Sequence, residues 1–276
     1  MRLMKTPRSV DIEITTRCNL RCKYCAHFTS AGDVDNDLPK EEWLKFFEEL
    51  NRCAVMDVVL SGGEPFHRND IMEIIEGIVK NKMRYSILSN GTLITDEIAK
   101  FIADTKRCNY VQVSIDGSKP ESHDIFRGKG TFEKAINGLK NLRKNGVNNT
   151  VRVTIHKYNV SDLDHIAKLL LEDIGLNGFS TNVASYQGLC RENNEQIKLD
   201  AETQSLAMET LLRLTKKYNG RITANAGPLA NARMWLEMEK ARREGLESMP
   251  GRGCLSGCGA MMSKIAVRAD GVLVPC

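Results

Sequence analysis

The sequence lacks the features that would mark a membrane, secreted or nucleic-acid-binding protein. No uninterrupted apolar run approaches the roughly 20 residues that a membrane-spanning helix needs, and the basic N-terminus lacks the apolar segment of a signal peptide. The 39 Lys and Arg residues are scattered among 35 Asp and Glu residues, so no basic block indicates a nucleic-acid surface. We therefore expect a cytoplasmic protein whose partners are neither membranes nor nucleic acids.

Low-complexity linkers and solenoid repeats are also absent, which leaves an alternation of short β-rich runs with amphipathic stretches. Strands are predicted in six runs, each rich in Val, Ile and Thr or uniformly apolar: 10–16, 56–61, 85–89, 110–115, 150–156 and 178–184. Such runs are typical of strands that are covered on both faces. Helices are predicted between them, with caps at Thr95 and Ser161: 40–51, 70–80, 96–105, 132–144 and 161–171.

Consecutive βα units predict a parallel sheet with right-handed crossovers. Six units are too few for a closed eight-stranded barrel, so the expected fold class is α/β, a partial (β/α)6 barrel of the TIM type. The 276 residues, 42% of them hydrophobic, suffice for one large core. In such sheets the active site collects at the carboxyl ends of the strands.

Nine cysteines are many for a cytosolic chain, and three of them lie in the loop after the first predicted strand. Cys18, Cys22 and Cys25 have the spacing C-x3-C-x2-C. Three thiolates are one too few to close a tetrahedral zinc site or to saturate a [4Fe–4S] cube, so the loop predicts a metal centre with an open position. A structural zinc loop is the alternative that the missing ligand disfavours, and a disulfide framework is not expected in a chain of this size and type.

The segment from Ile14 to Cys25, with Tyr24 before its third cysteine, strongly resembles the radical S-adenosylmethionine (SAM) enzymes. The resemblance implies a partial barrel and a [4Fe–4S] cluster on Cys18, Cys22 and Cys25, whose unique iron binds SAM. It implies reductive cleavage of SAM to methionine and a 5′-deoxyadenosyl radical that abstracts a hydrogen atom. A low-potential electron donor such as flavodoxin or ferredoxin would supply the electron.

The second predicted strand ends in a glycine-rich element, Gly62-Gly63-Glu64-Pro65. Glycines let the backbone approach a ligand closely, and a glutamate accepts hydrogen bonds from an ammonium group. In the radical SAM family this element lines the SAM amino group. A tight βα turn is the alternative, and it would need the glycines but not Glu64.

The next two strands end in small polar residues that suit ribose hydroxyls or a carboxylate: Ser89 and Asn90, then Ser114 and Asp116. The same residue types are ordinary turn formers. In related enzymes a serine of the strand-four region and an arginine shortly after it contact the methionine part of SAM. We therefore expect Arg127 to pair with the SAM carboxylate, because its fork suits bidentate pairing, and Asp116 to contact ribose or substrate.

Other cysteines and histidines carry weaker signals. Cys190 follows the sixth strand and is a candidate hydrogen-atom donor to a substrate radical, with a loop thiol as the alternative. Cys53 and Cys108 are interpreted as small packed hydrophobes. His27, near the cysteine loop, and His156, near the end of strand five, receive no role.

The tail contains a second cysteine pattern, in which Cys254 and Cys258 precede a hairpin signal around residues 265–274. The hairpin is expected to fold Cys276 back toward Cys258. This pattern looks like the start of a SPASM-type extension, which implies that the three cysteines ligate auxiliary [4Fe–4S] clusters. The family pattern continues with more cysteines, so the sequence is expected to end within the extension; a hairpin with structural cysteines is the alternative.

The resulting division is a partial barrel (1–200), a helical connection (201–253) and the start of the extension (254–276). Members with such an extension typically modify peptides or proteins. Only about ten residues precede strand one, so a leader peptide is expected to need a separate binding protein or another docking surface. A radical SAM enzyme acting on a haem precursor or another small cofactor intermediate, and a non-catalytic iron–sulfur electron carrier, are the alternatives.

Overall fold

The computed structural model describes residues 6–26, 28, 37–245 and 264–275. His27, Cys254, Cys258 and Cys276 lie outside these ranges, so what is predicted for them rests on the sequence. Nine strands are described: β1 Ser9–Glu13, β2 Asp57–Ser61, β3 Arg84–Ser89, β4 Cys108–Ser114, β5 Asn149–Ile155, β6 Phe179–Val183, β7 Ile222–Ala224, β8 Lys264–Val267 and β9 Leu273–Val274.

All nine strands belong to one sheet, in the order β7-β6-β5-β4-β3-β2-β1-β8-β9. Strands β1 to β7 are parallel and follow chain order. Strand β8 pairs in parallel with the other side of β1, and β9 returns antiparallel to β8 through the predicted hairpin. The described sheet is open, with β7 and β9 at its edges, and the predicted α/β fold with a parallel, partial barrel is confirmed.

Ten α-helices connect the described strands: α1 Lys40–Arg52, α2 Ile71–Lys80, α3 Asp96–Thr105, α4 Pro120–Arg127, α5 Thr131–Lys144, α6 Leu163–Lys168, α7 Leu189–Glu192, α8 Asn194–Ile197, α9 Ala201–Lys217 and α10 Pro228–Arg243. In helix α1 the apolar residues recur every three or four positions, so Trp43, Phe47 and Leu50 lie on one buried side of the helix. None of the described helices is long and apolar enough to cross a membrane.

Of the two predicted helix N-caps, Thr95 is confirmed and Ser161 is wrong. The Thr95 hydroxyl accepts a hydrogen bond from the Ile98 amide at 3.2 Å and starts α3. Ser161 instead lies inside a 3₁₀ turn, Val160–Asp162, that precedes α6. The carboxylate of Asp162 is taken up by Ser118 and Ser122, so it does not cap the helix.

Among the described residues, helices pack on one face of the strands, and the prediction that both faces are covered is wrong for β1. In that strand Val10 and Ile12 have no exposed surface, whereas Ser9, Asp11 and Glu13 are half-buried. In β3 and β4, by contrast, Ser86 and Gln112 are buried on the opposite face. Apolar residues of β1 to β8 pack with the helices in the main hydrophobic core. We call the opposite, more polar face the inner face; it carries the following residues: Asp11, Gln112, Ser114, Thr150, Arg152, Thr154, Ser180 and Asn182.

Candidate cluster and cofactor site

The glycine-rich element after β2 lies directly against the start of the cysteine loop. The Gly63 amide donates to the Thr15 carbonyl and the Glu64 amide to the Arg17 carbonyl, both at 2.8 Å. A Cβ on Gly63 would lie 2.1 Å from the Arg17 oxygen, and one on Gly62 (φ +127°) would lie 2.3 Å from the Thr15 oxygen. Both glycines are therefore required by backbone-to-backbone contact next to Cys18.

Glu64 has no exposed surface and ties three chain segments together. Its carboxylate accepts hydrogen bonds from the Ser89 hydroxyl at 2.8 Å, the Asn90 amide at 2.7 Å and the Phe66 amide at 3.2 Å. Burial raises the pKa of Glu64 to about 7, against the opposing effect of these donors. An ammonium group of a ligand would have to compete with them. Pro65 begins a short 3₁₀ helix, Pro65–His67, that the sequence reasoning missed.

Cys18, Cys22 and Cys25 are free, half-buried thiols. The Cys18 sulfur accepts hydrogen bonds from the Leu20 amide at 3.4 Å and the Asn90 side-chain amide at 3.8 Å. Burial raises the pKa of Cys18, and it raises the pKa of Cys22 to about 12, with the other loop thiols acting in the same direction. Such thiols are protonated near neutrality and lose their protons when they bind a metal.

The three sulfurs do not converge on one point. Within residues 6–26, 28, 37–245 and 264–275, no group of three Cys, His, Asp or Glu side chains is close enough to hold one metal ion. In a [4Fe–4S] cube each thiolate binds a different iron, so the ligands stand apart. A loop with three free thiols and N–H donors near a sulfur fits such a cluster chemically.

The entry to the cysteine loop is held by Asp37, which the sequence reasoning missed. Its carboxylate accepts from the Thr16 amide at 2.7 Å and the Thr16 hydroxyl at 2.9 Å, and also from the Thr15 hydroxyl. Arg17 pairs with it at 3.3 Å. A lone aspartate before a helix gives no sequence signal for this role, because the contact spans some twenty residues.

Asp116, Arg127 and Tyr24 form one buried network. Asp116 has no exposed surface; its Oδ2 accepts from the Tyr24 hydroxyl and from Arg127 Nε at 2.5 Å, and its Oδ1 from the Thr154 amide at 2.7 Å. Burial alone would raise the pKa of Asp116, but the adjacent Arg127 guanidinium holds it below its usual range. The two residues predicted to contact SAM therefore neutralise each other's charge.

Two histidines and an asparagine surround this network. The Asn159 side-chain amide donates to the Asp116 and Thr154 carbonyls, both at 2.9 Å, and its oxygen accepts from the His156 amide. His123 Nδ1 accepts from the Asp116 amide at 3.1 Å. Burial lowers the pKa of His123 and of His156 to about 4, so both imidazoles are neutral near pH 7.

The loop after β6 packs against the far end of the cysteine loop. The Cys190 amide donates to the Cys25 carbonyl at 3.3 Å, and a Cβ on Gly188 would lie 2.8 Å from the same oxygen. The Cys190 side chain has no exposed surface and clusters with Tyr24 and Phe126. Donation of a hydrogen atom to a substrate radical would require access to that thiol.

The remaining cysteines differ from one another. Cys108 begins β4 and packs against the main core, as predicted. Cys53 is exposed at the end of α1, so its interpretation as a packed hydrophobe is wrong. Helix ends lie at the surface, which the helical pattern alone does not reveal.

The predicted site residues thus fall into two connected groups and one outlier. Glu64, Ser89 and Asn90 form the first group, which reaches Cys18 through Asn90. Tyr24, Asp116 and Arg127 form the second. Ser114 stands apart on the inner face of β4, where it lies opposite Arg152 in the register of β5.

Comparison with known proteins identifies relatives at the level of sequence and fold. The profile of the Radical SAM superfamily matches residues 12–170. The chain is 36% identical over 210 residues to Fe-coproporphyrin III synthase of Methanosarcina barkeri (strain Fusaro / DSM 804), covering 75% of this chain and 51% of that protein. It is 33% identical over 168 residues to mycofactocin maturase MftC of Mycolicibacterium smegmatis (strain ATCC 700084 / mc(2)155), covering 60% and 42%.

The chain therefore spans about half the length of these curated relatives. Its fold is similar to that of Streptococcus suis SuiB bound to precursor peptide SuiA, with a TM-score of 0.77 at 18% identity. That superposition covers 99% of this chain and 60% of SuiB. At this identity the likeness concerns the fold alone.

Proposed function

Because this chain belongs to the radical SAM superfamily, whose cofactors are a [4Fe–4S] cluster and SAM, we propose that it is an enzyme that cleaves SAM reductively. Cys18, Cys22 and Cys25 would hold the cluster. When bound, the cluster and SAM supply the 5′-deoxyadenosyl radical that abstracts hydrogen from the substrate. The observation that carries the proposal is the C-x3-C-x2-C loop, held on both sides by the ends of β2, β3 and β6.

The chain's own residues hold this loop and shape the cofactor pocket. Gly62 and Gly63 let β2 continue along the loop backbone, and Glu64 fixes the ends of β2 and β3 relative to each other. We assign Tyr24, Asp116 and Arg127 a positioning role, because their buried network links the loop to β4 and α4. Ser89, Asn90 and Ser114 remain candidates for SAM contacts at the carboxyl ends of their strands.

The substrate class we favour is a peptide or protein. The inner face offers neutral hydrogen-bonding side chains such as Thr150, Ser180 and Asn182, which suit the amide groups of a peptide lying along the open sheet. Similarity to the maturase MftC also supports this class. A separate leader-binding protein, a flavodoxin- or ferredoxin-type electron donor and a cytoplasmic location belong to the same proposal.

A tetrapyrrole is the second candidate substrate. It is favoured by 36% identity to Fe-coproporphyrin III synthase, which exceeds the identity to MftC. A SPASM-like extension with auxiliary clusters on Cys254, Cys258 and Cys276 is compatible with either class, and it remains a proposal from the sequence.

Anaerobic reconstitution followed by dithionite reduction with SAM tests the activity. We expect 5′-deoxyadenosine from the parent and none from the Cys18→Ala/Cys22→Ala/Cys25→Ala variant. Iron that remains bound to this variant would report an auxiliary site. A parent that binds iron yet forms no deoxyadenosine would instead support the electron-carrier alternative.

A further inference from the structure

Arg152 occupies the middle of β5 on the inner face of the sheet. Its neighbours Val151 and Val153 have no exposed surface because they pack into the main core, so the arginine side chain lies on the opposite side of the strand. Its Nε is buried and makes no hydrogen bond with any described residue. Burial lowers the pKa of Arg152, and no carboxylate of the described chain is among the groups that act on it.

The neighbours of Arg152 on the inner face are neutral and polar. Ser114 of β4 and Ser180 of β6 lie directly opposite it in the two adjoining registers. Asn182, the next inner residue of β6, has a buried Oδ1 without a partner in the described chain. The strand acids on this face lie three or four strands away: Asp57 on β2, and Asp11 and Glu13 on β1. Asp11 faces Lys264 at 3.6 Å.

A half-buried guanidinium without an anion is costly, because the lost hydration is not replaced. Arg127, which sequence reasoning assigned to the SAM carboxylate, already has such a partner in Asp116 at 2.5 Å. Arg152 has no carboxylate partner among the described residues. The planar guanidinium of Arg152 can donate two parallel hydrogen bonds to a carboxylate. Two hydroxyls and a side-chain amide beside it could donate further hydrogen bonds to the same group.

The geometry points to a carboxylate-binding subsite on the inner face of β4–β6, with Arg152 as its cationic group and Ser114, Ser180 and Asn182 around it. Arg152 is two residues before Thr154, whose amide contacts Asp116 in the Tyr24 network. The subsite therefore lies about 7 Å along the strand from the carboxyl end that carries the cysteine loop. The carboxylate belongs either to the methionine part of SAM or to a tetrapyrrole, the second candidate substrate; this naming of sources rests on the proposed function.

The test uses three variants of the full chain. Arg152→Gln removes the positive charge, and Arg152→Lys keeps the charge but loses the two-pronged hydrogen bonding of the guanidinium. Arg143→Gln, which removes an exposed arginine of α5, is the matched control. Anaerobic titrations of the reconstituted protein use SAM, decarboxylated SAM and coproporphyrin III as probes. Thermal unfolding of each variant without ligand is measured alongside.

We expect Arg152→Gln to bind one carboxylate probe about 10- to 100-fold more weakly, with Arg152→Lys intermediate and Arg143→Gln unchanged. Weaker binding of SAM but not of decarboxylated SAM assigns the carboxylate to SAM. Weaker binding of coproporphyrin III alone assigns it to the substrate. In both cases the unfolding temperature of Arg152→Gln equals or exceeds that of the parent, since an unpaired charge has been removed.

Parental affinity of Arg152→Gln for every probe would overturn the inference. A lowered unfolding temperature with parental affinities would also overturn it, because it would show that Arg152 is structural. If the parent forms no deoxyadenosine, the proposed function fails separately, since the coproporphyrin III titration does not depend on SAM cleavage.

Discussion

Asp116 is a fully buried carboxylate whose oxygens serve a phenol, a guanidinium and a backbone amide. Replacing it by asparagine leaves the buried Arg127 charge without a counter-ion. We expect Asp116→Asn to lower the free energy of unfolding by about 3 kcal/mol or more, because an unpaired buried charge is strongly destabilising. Chemical denaturation of the protein, with and without a reconstituted cluster, measures the loss.

The matched control is Asp164→Asn on the surface. Asp164 forms a two-pronged pair with Arg213 at 2.9 and 2.6 Å, but both side chains are about half exposed. Solvent screening limits such a pair to less than about 1 kcal/mol. Equal losses in the two variants would contradict the interpretation that burial makes the Asp116 pair important.

Glu64 predicts a pH dependence of stability that opposes the usual behaviour of carboxylates. Its pKa in the folded protein is about 7, above the value of about 4.5 for an exposed glutamate, so the folded state binds the proton more tightly. The stabilisation is complete below pH 4.5 and is lost as the pH rises to 7, amounting to about 3 kcal/mol. Glu64→Gln should lack this contribution.

The measurement is the difference in unfolding free energy between Glu64→Gln and the parent from pH 4.5 to 7. It is made before cluster reconstitution, because the charge of a cluster would itself act on Glu64. We expect the variant to gain about 3 kcal/mol relative to the parent across this range. His123 and His156, whose depressed pKa values of about 4 reduce stability on acidification below about 6.5, cancel in the difference. If the unfolding free energies of the variant and the parent changed in parallel over this pH range, Glu64 would be ionised in the folded protein throughout it, which would contradict the prediction.

At the scale of elements, the loop that carries Cys18 depends on its backbone contact with the end of β2. Gly63→Ala would drive a Cβ into the Arg17 carbonyl, which lies 2.1 Å away. We expect loss of most of the reconstituted iron, together with about 2 kcal/mol or more of stability. Iron per folded chain, determined after removal of aggregates, checks this outcome.

Gly178→Ala provides the control, because its Cβ would lie 2.6 Å from the Arg221 carbonyl at the amino end of β6. That variant should lose comparable stability while it retains its iron, since the clash is at the opposite end of the sheet from the cysteine loop. Iron loss in both variants would mean that general destabilisation explains the result.

The main strands and most of the longer helices were predictable from the sequence because their apolar periodicity is strong. The helix over 96–105 matches its predicted bounds and its predicted cap to the residue. Helix α4 (Pro120–Arg127) was missed because its buried face includes His123 and Arg127, polar residues that weaken the apolar pattern. Strand β7, with three residues, is too short to give a period.

The candidate residues of the site could be named from the sequence, but their contacts could not. Cysteine spacing and polar residues at strand ends identify Cys18, Glu64 and Asp116 without any coordinates. That Asp116 binds Arg127, and that Glu64 binds Ser89, depends on how strand ends meet in space. Arg152 gave no signal because a single arginine within a strand looks like an ordinary edge or surface residue.

At the scale of the whole molecule, the exposed side chains of Trp235 and Leu236 on α10 form an apolar patch with Met208 and Leu212 of α9. The chain carries a charge of +4 at pH 7 and has an isoelectric point near 8.5. Charge repulsion between copies therefore vanishes close to pH 8.5 and leaves the patch unopposed. We expect association to increase from pH 7 to pH 8.5.

Sedimentation at both pH values, with Leu236→Glu, measures the contribution of the patch. Met56→Glu is the control, because Met56 is equally exposed but isolated, and it changes the net charge by the same amount. Association that falls in both variants alike would assign the effect to charge rather than to the patch.

The place of β8 beside β1 has a consequence for the order in which the chain folds. Strand β1 leaves the ribosome roughly 250 residues before its outer neighbour β8. At 5–20 residues per second, the outer edge of β1 stays unpaired for about 12 to 50 s of translation. During that interval the strand leading into the cysteine loop is a free template for other strands, so slow synthesis or chaperone shortage should reduce the yield of folded protein before any cofactor is loaded.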